Sequence, residues 1–308
     1  MNGENMSSRL ERLVSGLKAN PLDTLGRVVR YASGSINSFF ADLLYYFFRA
    51  QSIIAPTRTL AKLKQGLNPT VKLDYSRHPI FMHADSELSL FRSRACQKEP
   101  ETIAWIENFM KPGEVFYDVG ANVGAYSLVA SKFLDGRIRV YAFEPSFSTY
   151  DQLCRNIILN RCQDSVYPFM LALNESTGLV EFDYHSLAAG DAEHLLIDPI
   201  QGSQPEFQSV YRQSLPGFRL DDLVAEFNFP RPNHIKLDVD GSELAVLCGA
   251  AETLKSDTVR SVLVEVRKQP GQADWVENLL VAAGFKLLSE HDRGNGVIWN
   301  YIFKKTPA

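Results

Sequence analysis

The pattern of apolar and polar positions changes near Asn68 and divides the sequence into two parts. Before that point apolar residues recur at helical spacing, which predicts a series of helices. After it, short apolar runs of strand length appear and then alternate with helical patterns. We therefore predict a helical extension over residues 1–68 and a main domain over residues 69–308, with the core of that domain at 111–308.

Strand-like runs and helical patterns alternate through the main domain. The predicted strands are Val115–Val119, Ile138–Phe143, Val166–Ala172, Ile235–Val239, Ser261–Val266, Phe285–Ser289 and Val297–Phe303. The predicted helices are Ala125–Phe133, Phe147–Asn160, Leu220–Phe227, Glu243–Leu254 and Gln272–Ala283. Such alternation is typical of an α/β fold with a mostly parallel sheet covered on both faces. The last two strand runs are joined by a short, turn-rich link, which predicts a terminal antiparallel hairpin.

One long segment, about residues 185–216, interrupts this alternation. It contains several Gly, Pro and Gln residues and shows little periodicity. A loop of this length inside a compact domain usually has a function. We predict that it forms a lid or a substrate-specificity insert, with Tyr184, His185 and Tyr211 as substrate contacts.

Composition narrows the classes of function. The net charge of −4 gives no sign of nucleic-acid binding. The charge is uneven, because residues 1–66 carry nine basic and four acidic side chains, a net +5, and the remainder carries −9. The four cysteines and six histidines show no metal-ligand spacing, so no metal site is predicted. No signal peptide is visible at the start of the sequence, which makes the cytoplasm the expected location.

The most apolar window of the basic part lies within residues 36–55. It holds six aromatic residues among ten but is interrupted by Asp42 and Arg49, and it is shorter than the roughly 20 apolar residues that span a bilayer. Two interpretations stay open. The window is either a helix that packs on the main domain or on a second copy of the chain, or an interfacial helix at a membrane surface.

The turn after the first predicted strand of the parallel sheet carries the clearest chemical signal. A dinucleotide-binding turn begins with glycine, but here that place is taken by Asp118, which would repel a pyrophosphate. The same carboxylate favours a ligand with cationic ammonium and sulfonium groups. Gly120 and Gly124 allow the backbone to approach such a ligand closely.

Acidic residues also follow the next strands of the predicted sheet. Glu144 ends the second strand, where a carboxylate can accept hydrogen bonds from both ribose hydroxyls of an adenosine group. Asp238, Asp240 and Glu243 follow the fourth strand and should lie beside the Asp118 turn, because ligands bind at the carboxyl ends of parallel strands. These carboxylates could deprotonate a hydroxyl, contact a cofactor or hold a divalent cation. Alternatively, Asp240 and the two residues after it could simply cap the next helix.

The order and spacing of six motifs resemble those of the FkbM-type methyltransferases. The motifs are Glu99–Thr102, Asp118–Ser127, Ala142–Pro145, Asn156–Asn160, Leu220–Leu223 and Ile235–Glu243. The similarity covers about Glu99 to Val266. It implies a Rossmann-like class I methyltransferase fold and methylation of a hydroxyl on a sugar, glycan or natural product, with S-adenosylmethionine as the methyl donor.

The resemblance also implies roles for individual residues. The implied cofactor-binding residues are Asp118, Gly120, Asn122, Gly124, Glu144, Ala172 and Asp238. The implied catalytic residues are Asp238, Asp240 and Glu243. The alternative is a protein that keeps the fold and the cofactor but lacks turnover and docks a partner through its N-terminal part.

Overall fold

The computed structural model describes residues 43, 47, 56–192, 194–197, 208–268, 272–294 and 296–306. The chain divides into two units, residues 1–67 and residues 68–308. In the first unit, helix α1 spans Thr57–Gly66. Apart from two positions, the predicted aromatic helix at 36–55 lies outside the described residues. Among the described residues, no helix has the length and apolar character needed to cross a membrane.

The second unit contains the alternating strands and helices that the pattern predicts. Its strands are β1 (Thr70–Lys72), β2 (Phe81–His83), β3 (Val115–Val119), β4 (Arg139–Phe143), β5 (Val166–Phe169), β6 (Ala172–Leu173), β7 (Gly178–Tyr184), β8 (Leu195–Ile197), β9 (Tyr211–Phe218), β10 (His234–Leu237), β11 (Ser261–Arg267), β12 (Phe285–Asp292) and β13 (Ile298–Lys305). Its helices are α2 (Glu87–Arg92), α3 (Ala95–Lys98), α4 (Pro100–Phe109), α5 (Ala125–Phe133), α6 (Phe147–Leu159), α7 (Leu220–Ala225), α8 (Glu243–Gly249), α9 (Ala251–Lys255) and α10 (Gln272–Ala282).

Seven of these strands form the main sheet, in the order β12-β13-β11-β10-β3-β4-β5. Strands β3, β4, β5, β10 and β11 are parallel, and β13 is antiparallel to both β11 and β12. The predicted α/β class with a terminal antiparallel hairpin is confirmed. The chain moves to one side of β3 through β4 and β5 and returns to its other side through β10 and β11. The strand order therefore reverses between β3 and β10, which is where ligands bind in open α/β sheets.

The main sheet is buried on both faces, because apolar side chains alternate between two cores. In β3, Phe116 faces one core, where its ring lies 5.8 Å from that of Trp105. Tyr117 faces the other core, with its ring 5.3 Å from Phe143. All five residues of β3 are buried, so its central position follows directly from its apolar run.

A second, four-stranded sheet in the order β6-β9-β7-β8 corrects two predictions. The segment 185–216 was predicted as an insert with little regular structure, yet it contains β8 and most of β9. The sequence of β9 lacks a clear apolar strand pattern, because only Leu215 and Gly217 are buried along it. The predicted strand Val166–Ala172 is also split, since β5 ends at Phe169 and Ala172 pairs with Gly217 in the second sheet.

Candidate active site

A cavity of about 430 Å³ opens at the carboxyl ends of the parallel strands, where the strand order reverses. Gly120 lines it after β3, Glu144 after β4 and Asp238 after β10. Arg267, the last residue of β11, lines it as well. The cavity is thus built from the ends of four neighbouring strands.

The turn after β3 packs directly against the end of β10. Gly120 has a φ of +76°, and a Cβ atom there would lie 1.8 Å from the carbonyl oxygen of Asp238. Only glycine fits both this backbone conformation and this contact. Asn122 also lines the cavity and donates from Nδ2 to the carbonyl of Asp191 at 2.9 Å. Gly124 lies behind the cavity lining, where a Cβ would approach Leu153 to 2.5 Å.

Asp118 lies beneath this turn and is not among the residues that line the cavity. Its carboxylate is fully buried, accepts a hydrogen bond from Ser127 Oγ at 2.6 Å and lies 3.7 Å from Lys236 Nζ. Burial raises the pKa of Asp118, and Lys236 opposes that shift. Direct contact between Asp118 and a cofactor stays a prediction, because the observed contacts tie β3 to α5 and β10 instead.

Lys236 links Asp118 to the cavity. Its side chain is buried, and Nζ lies 3.0 Å from Asp238 Oδ2 and 5.1 Å from the centroid of the Tyr126 ring. Burial alone would raise the pKa of Asp238, but Lys236 and Arg293 hold it at about 2. Asp238 is therefore an ionised carboxylate with a fixed orientation at the floor of the cavity.

Glu144 lies where the sequence predicts an acceptor for ribose hydroxyls. Its two carboxylate oxygens accept hydrogen bonds from the backbone N–H groups of Asn122 and Ser146, each at 2.9 Å. Burial raises the pKa of Glu144 to about 7. Each oxygen keeps a further lone pair for a ligand in the cavity. Ala172 and Leu173 line the neighbouring wall, beside the predicted adenine contact.

The predicted catalytic carboxylates separate into two groups. Asp238 and Asp240 line the cavity, and Asp240 has a left-handed backbone φ of +54°. Glu243 is not among the lining residues, and its Oε1 accepts from the backbone N–H groups of Gly241 at 3.0 Å and Val239 at 3.3 Å. Its observed contacts stabilise the turn that carries Asp240, and its catalytic role stays a prediction.

Sequence reasoning missed several charged residues of the cavity, and Glu265 is the most informative of them. It lies in β11 and accepts from Arg293 Nη1 at 2.7 Å, while Arg293 Nη2 lies 2.8 Å from Glu99 Oε1. Burial and the nearby Asp238 raise the pKa of Glu265 to about 9. A signal was present in the sequence, because Glu265 is a charged residue inside an otherwise apolar strand run.

Asp238, Asp240 and Glu265 each bring one carboxylate oxygen within 4.8 Å of the others. Such a cluster can hold a divalent cation, although acidic side chains also gather without one. The prediction of a site without metal therefore stays a prediction.

The predicted insert supplies part of the cavity wall, though through other side chains than expected. Asp191, Ala192 and His194 line the cavity, whereas Tyr184, His185 and Tyr211 do not. This wall is tethered at Gly190, whose N–H donates to Thr149 Oγ1 at 3.2 Å and whose carbonyl accepts from Arg92 Nε at 3.0 Å. Residues of α2 and α3, two short helices that the pattern did not predict, also line the cavity.

Comparison with known proteins places this cavity in a family context. A family model described as the methyltransferase FkbM domain matches residues 118–287. The hexuronic acid methyltransferase AglP of Haloferax volcanii is 29% identical over 214 residues, which cover 69% of this chain and 81% of that protein. The 31-O-demethyl-FK506 methyltransferase FkbM of Streptomyces tacrolimicus is 28% identical over 205 residues, 59% of this chain and 76% of that protein. A solved structure of methyltransferase FkbM from Methylobacillus flagellatus has 16% identity and a TM-score of 0.43, and the match covers 70% of this chain and 52% of that one.

Proposed function

The chain belongs to the FkbM methyltransferase family, and on that basis we propose that it transfers a methyl group from S-adenosylmethionine to a hydroxyl of a sugar, glycan or other natural product. The observation that carries the proposal is the convergence of the Gly120 turn, the Glu144 carboxylate and the Asp238–Asp240 segment on one cavity. The similarity to a hexuronic acid methyltransferase and to a methyltransferase of FK506 biosynthesis supports a hydroxyl-rich acceptor.

The lining of the cavity fits S-adenosylmethionine. Glu144 offers two carboxylate oxygens to the ribose, and Leu173 and Phe182 offer an apolar surface for adenine. The close approach of Gly120 to the end of β10 leaves backbone rather than side chain at the centre of the cavity. Asp238, held ionised by Lys236, provides negative charge for the cationic part of the ligand. We propose that Asp118 also acts on the cofactor site through Lys236, which lies 3.7 Å from its carboxylate.

When bound, S-adenosylmethionine supplies an activated methyl group, so the residues of the chain mainly position the acceptor and remove its proton. Positioning of two reactants accounts for up to roughly 7 to 11 kcal/mol of a barrier. We assign the proton acceptor to Asp240, because it lines the cavity and brings a carboxylate oxygen within 4.8 Å of those of Asp238 and Glu265, whereas Glu243 does not line the cavity.

The substitution Asp240→Ala tests this assignment, with Asp135→Ala as its matched control. Both aspartates have left-handed φ values, +54° and +51°, so alanine has a similar backbone cost at either position. Asp135 lies between α5 and β4, at the opposite end of the strands. We expect Asp240→Ala to slow methyl transfer by about 10² to 10⁴ and to leave affinity for S-adenosylhomocysteine nearly unchanged. Transfer from labelled cofactor to a glycan extract and calorimetric titration measure the two effects.

The outcome also separates the enzyme from the alternative, a cofactor-binding or partner-docking protein without turnover. If the wild-type chain binds S-adenosylhomocysteine but methylates nothing in glycan and small-molecule extracts, the alternative is favoured. Equal rates for the Asp240→Ala and Asp135→Ala variants would remove Asp240 from the mechanism. The cytoplasmic location, the membrane-surface or dimer contact through 36–55 and the domain roles stay predictions.

A further inference from the structure

Some of the charged side chains around the cavity form ion pairs. Asp238 pairs with Lys236 at 3.0 Å, and Glu265 pairs with Arg293 at 2.7 Å. These pairs cancel part of the charge that the cavity would otherwise present to a ligand. The electrostatic environment of a ligand therefore also depends on charged lining residues outside these two pairs.

Arg267 is the clearest of these charges. It lines the cavity at the end of β11, and its Nε is buried without a hydrogen-bond partner among the described residues. No carboxylate within the described parts of the chain lies within ion-pair distance of it. A buried guanidinium nitrogen without a partner is costly, which indicates that a ligand completes its hydrogen bonds.

Two further cations face the same cavity from α2 and α3. Lys98 lines it near the Phe91 ring, whose centroid lies 5.6 Å from Lys98 Nζ. Burial and the neighbouring Arg293 lower the pKa of Lys98, as expected where cations gather. Arg92 lines the cavity while its Nε donates to the carbonyl of Gly190 at 3.0 Å, which leaves its Nη atoms for other partners.

We propose that the acceptor carries a carboxylate, which Arg267 binds inside the cavity with the support of Lys98 and Arg92. The inference rests on the proposed function and names the chemical class of its acceptor, a hydroxy acid of the kind found in acidic sugars. Arginine suits this role because its planar guanidinium forms two parallel hydrogen bonds to a carboxylate.

The position of Arg267 also indicates how far the carboxylate of the acceptor would lie from the hydroxyl that is methylated. Arg267 and Glu265 lie two residues apart on β11 and therefore project to the same face, roughly 6.5 Å apart along the strand. Glu265 and Asp240 belong to the carboxylate cluster near which the hydroxyl would react. An acceptor that spans this distance has its carboxylate a few bonds from its hydroxyl, as a hexuronic acid does.

The neighbouring acids favour a carboxylate over a phosphate. The Asp240 carboxylate lines the same cavity as Arg267 and repels any anion, and this repulsion doubles for a ligand with two negative charges. A monoanion satisfies the guanidinium at the smaller electrostatic cost. A phosphorylated sugar should therefore bind more weakly than a sugar carboxylate.

Binding measurements on the full chain loaded with S-adenosylhomocysteine test the proposal. The probes are D-glucuronate, D-glucose and D-glucose 6-phosphate, titrated by calorimetry or ligand-observed NMR. We expect D-glucuronate to bind at least about tenfold more tightly than the other two, the effect of one charge-assisted hydrogen-bond pair. Equal affinity for D-glucuronate and D-glucose, tighter binding of the phosphate, or no binding of D-glucuronate would each overturn the proposal.

The variants Arg267→Gln and Arg267→Lys assign the effect to one side chain. We expect Arg267→Gln to lose about tenfold in D-glucuronate affinity, and Arg267→Lys to recover part of it. Arg137→Gln removes the same charge from an exposed position before β4, at the other end of the strands, and should change nothing. An Arg267→Gln variant that binds D-glucuronate like the wild type refutes the assignment.

Titration of S-adenosylhomocysteine on the same variants keeps the two proposals distinguishable. Unchanged cofactor affinity in Arg267→Gln shows that the variant is folded and that the loss is local to the acceptor. A wild-type chain that binds D-glucuronate but not S-adenosylhomocysteine retains the anion site and contradicts the proposed function. A chain that binds S-adenosylhomocysteine but no D-glucuronate overturns the acceptor class alone.

Discussion

The contact between Gly120 and the end of β10 makes a quantitative prediction for Gly120→Ala. The added Cβ would lie 1.8 Å from the carbonyl oxygen of Asp238, whereas ordinary contact begins near 3.4 Å. The obstacle is backbone rather than a flexible side chain, so one of two central strands must shift. The left-handed φ of +76° adds a second cost, because L residues adopt this region at about 1 to 2 kcal/mol.

The matched control is Gly113→Ala, which separates the two costs. Gly113 also has a left-handed φ, +88°, but a Cβ there would meet no atom within 4 Å. We expect Gly113→Ala to lose only the conformational cost, about 1 to 2 kcal/mol of unfolding free energy. Gly120→Ala should lose a further 1 to 3 kcal/mol, roughly the cost of overpacking a core.

Urea denaturation of both variants measures the two losses, and calorimetric titration with S-adenosylhomocysteine measures the effect on the cavity. We expect Gly120→Ala to weaken cofactor binding by about tenfold or more, since a shift of either strand end displaces the turn or Asp238, and about 1.4 kcal/mol corresponds to tenfold. Affinity should be unchanged in Gly113→Ala. The reasoning is refuted if the two variants have equal stability and equal cofactor affinity.

Two further predictions concern the buried charges of the site. Lys236→Met should lower the free energy of unfolding by about 3 to 5 kcal/mol in urea denaturation, because Asp118 and Asp238 lose their buried cation. The same change at the exposed Lys72 should cost little. Equal losses of stability in the two variants would contradict the pairing. Burial raises the pKa of Glu144 from 4.5 to about 7. Between these pH values the folded state keeps a proton that the unfolded state releases, so the free energy of unfolding should decline by roughly 3 kcal/mol as the pH rises from about 4.5 to 7. Glu144→Gln should abolish this part of the decline, and an identical pH profile in wild type and variant would contradict the shift.

Local sequence patterns were sufficient to predict the main sheet. A strand such as β3 is apolar throughout because both of its faces are covered, and Gly120 follows it where the backbone must turn. The same reasoning located Glu144 and Asp238, since the ends of parallel strands meet at one edge. In these cases the place of a residue in the fold follows from its position on a single element.

The parts that escaped prediction depend on contacts between distant segments. Arg293 joins the cavity because it pairs with Glu99 and Glu265, which are far from it in sequence. Strand β9 is mostly exposed, so its pairing with β7 leaves little trace in the apolar pattern. Asp118 stands out in the sequence because it replaces a glycine, but its burial against Lys236 depends on how β10 lies beside β3.

The two sides of the cavity differ in what they are made of, and this difference bears on how the acceptor could change during evolution. The proposed cofactor side is defined by backbone at Gly120, where any added side chain would meet the end of a central strand. The proposed acceptor side is defined by side chains from α3 and β11, such as Lys98 and Arg267. Substitutions among these side chains leave the turn intact. If the proposed sites are correct, a lineage can acquire a new acceptor through a few replacements while it inherits the methyl-donor site unchanged.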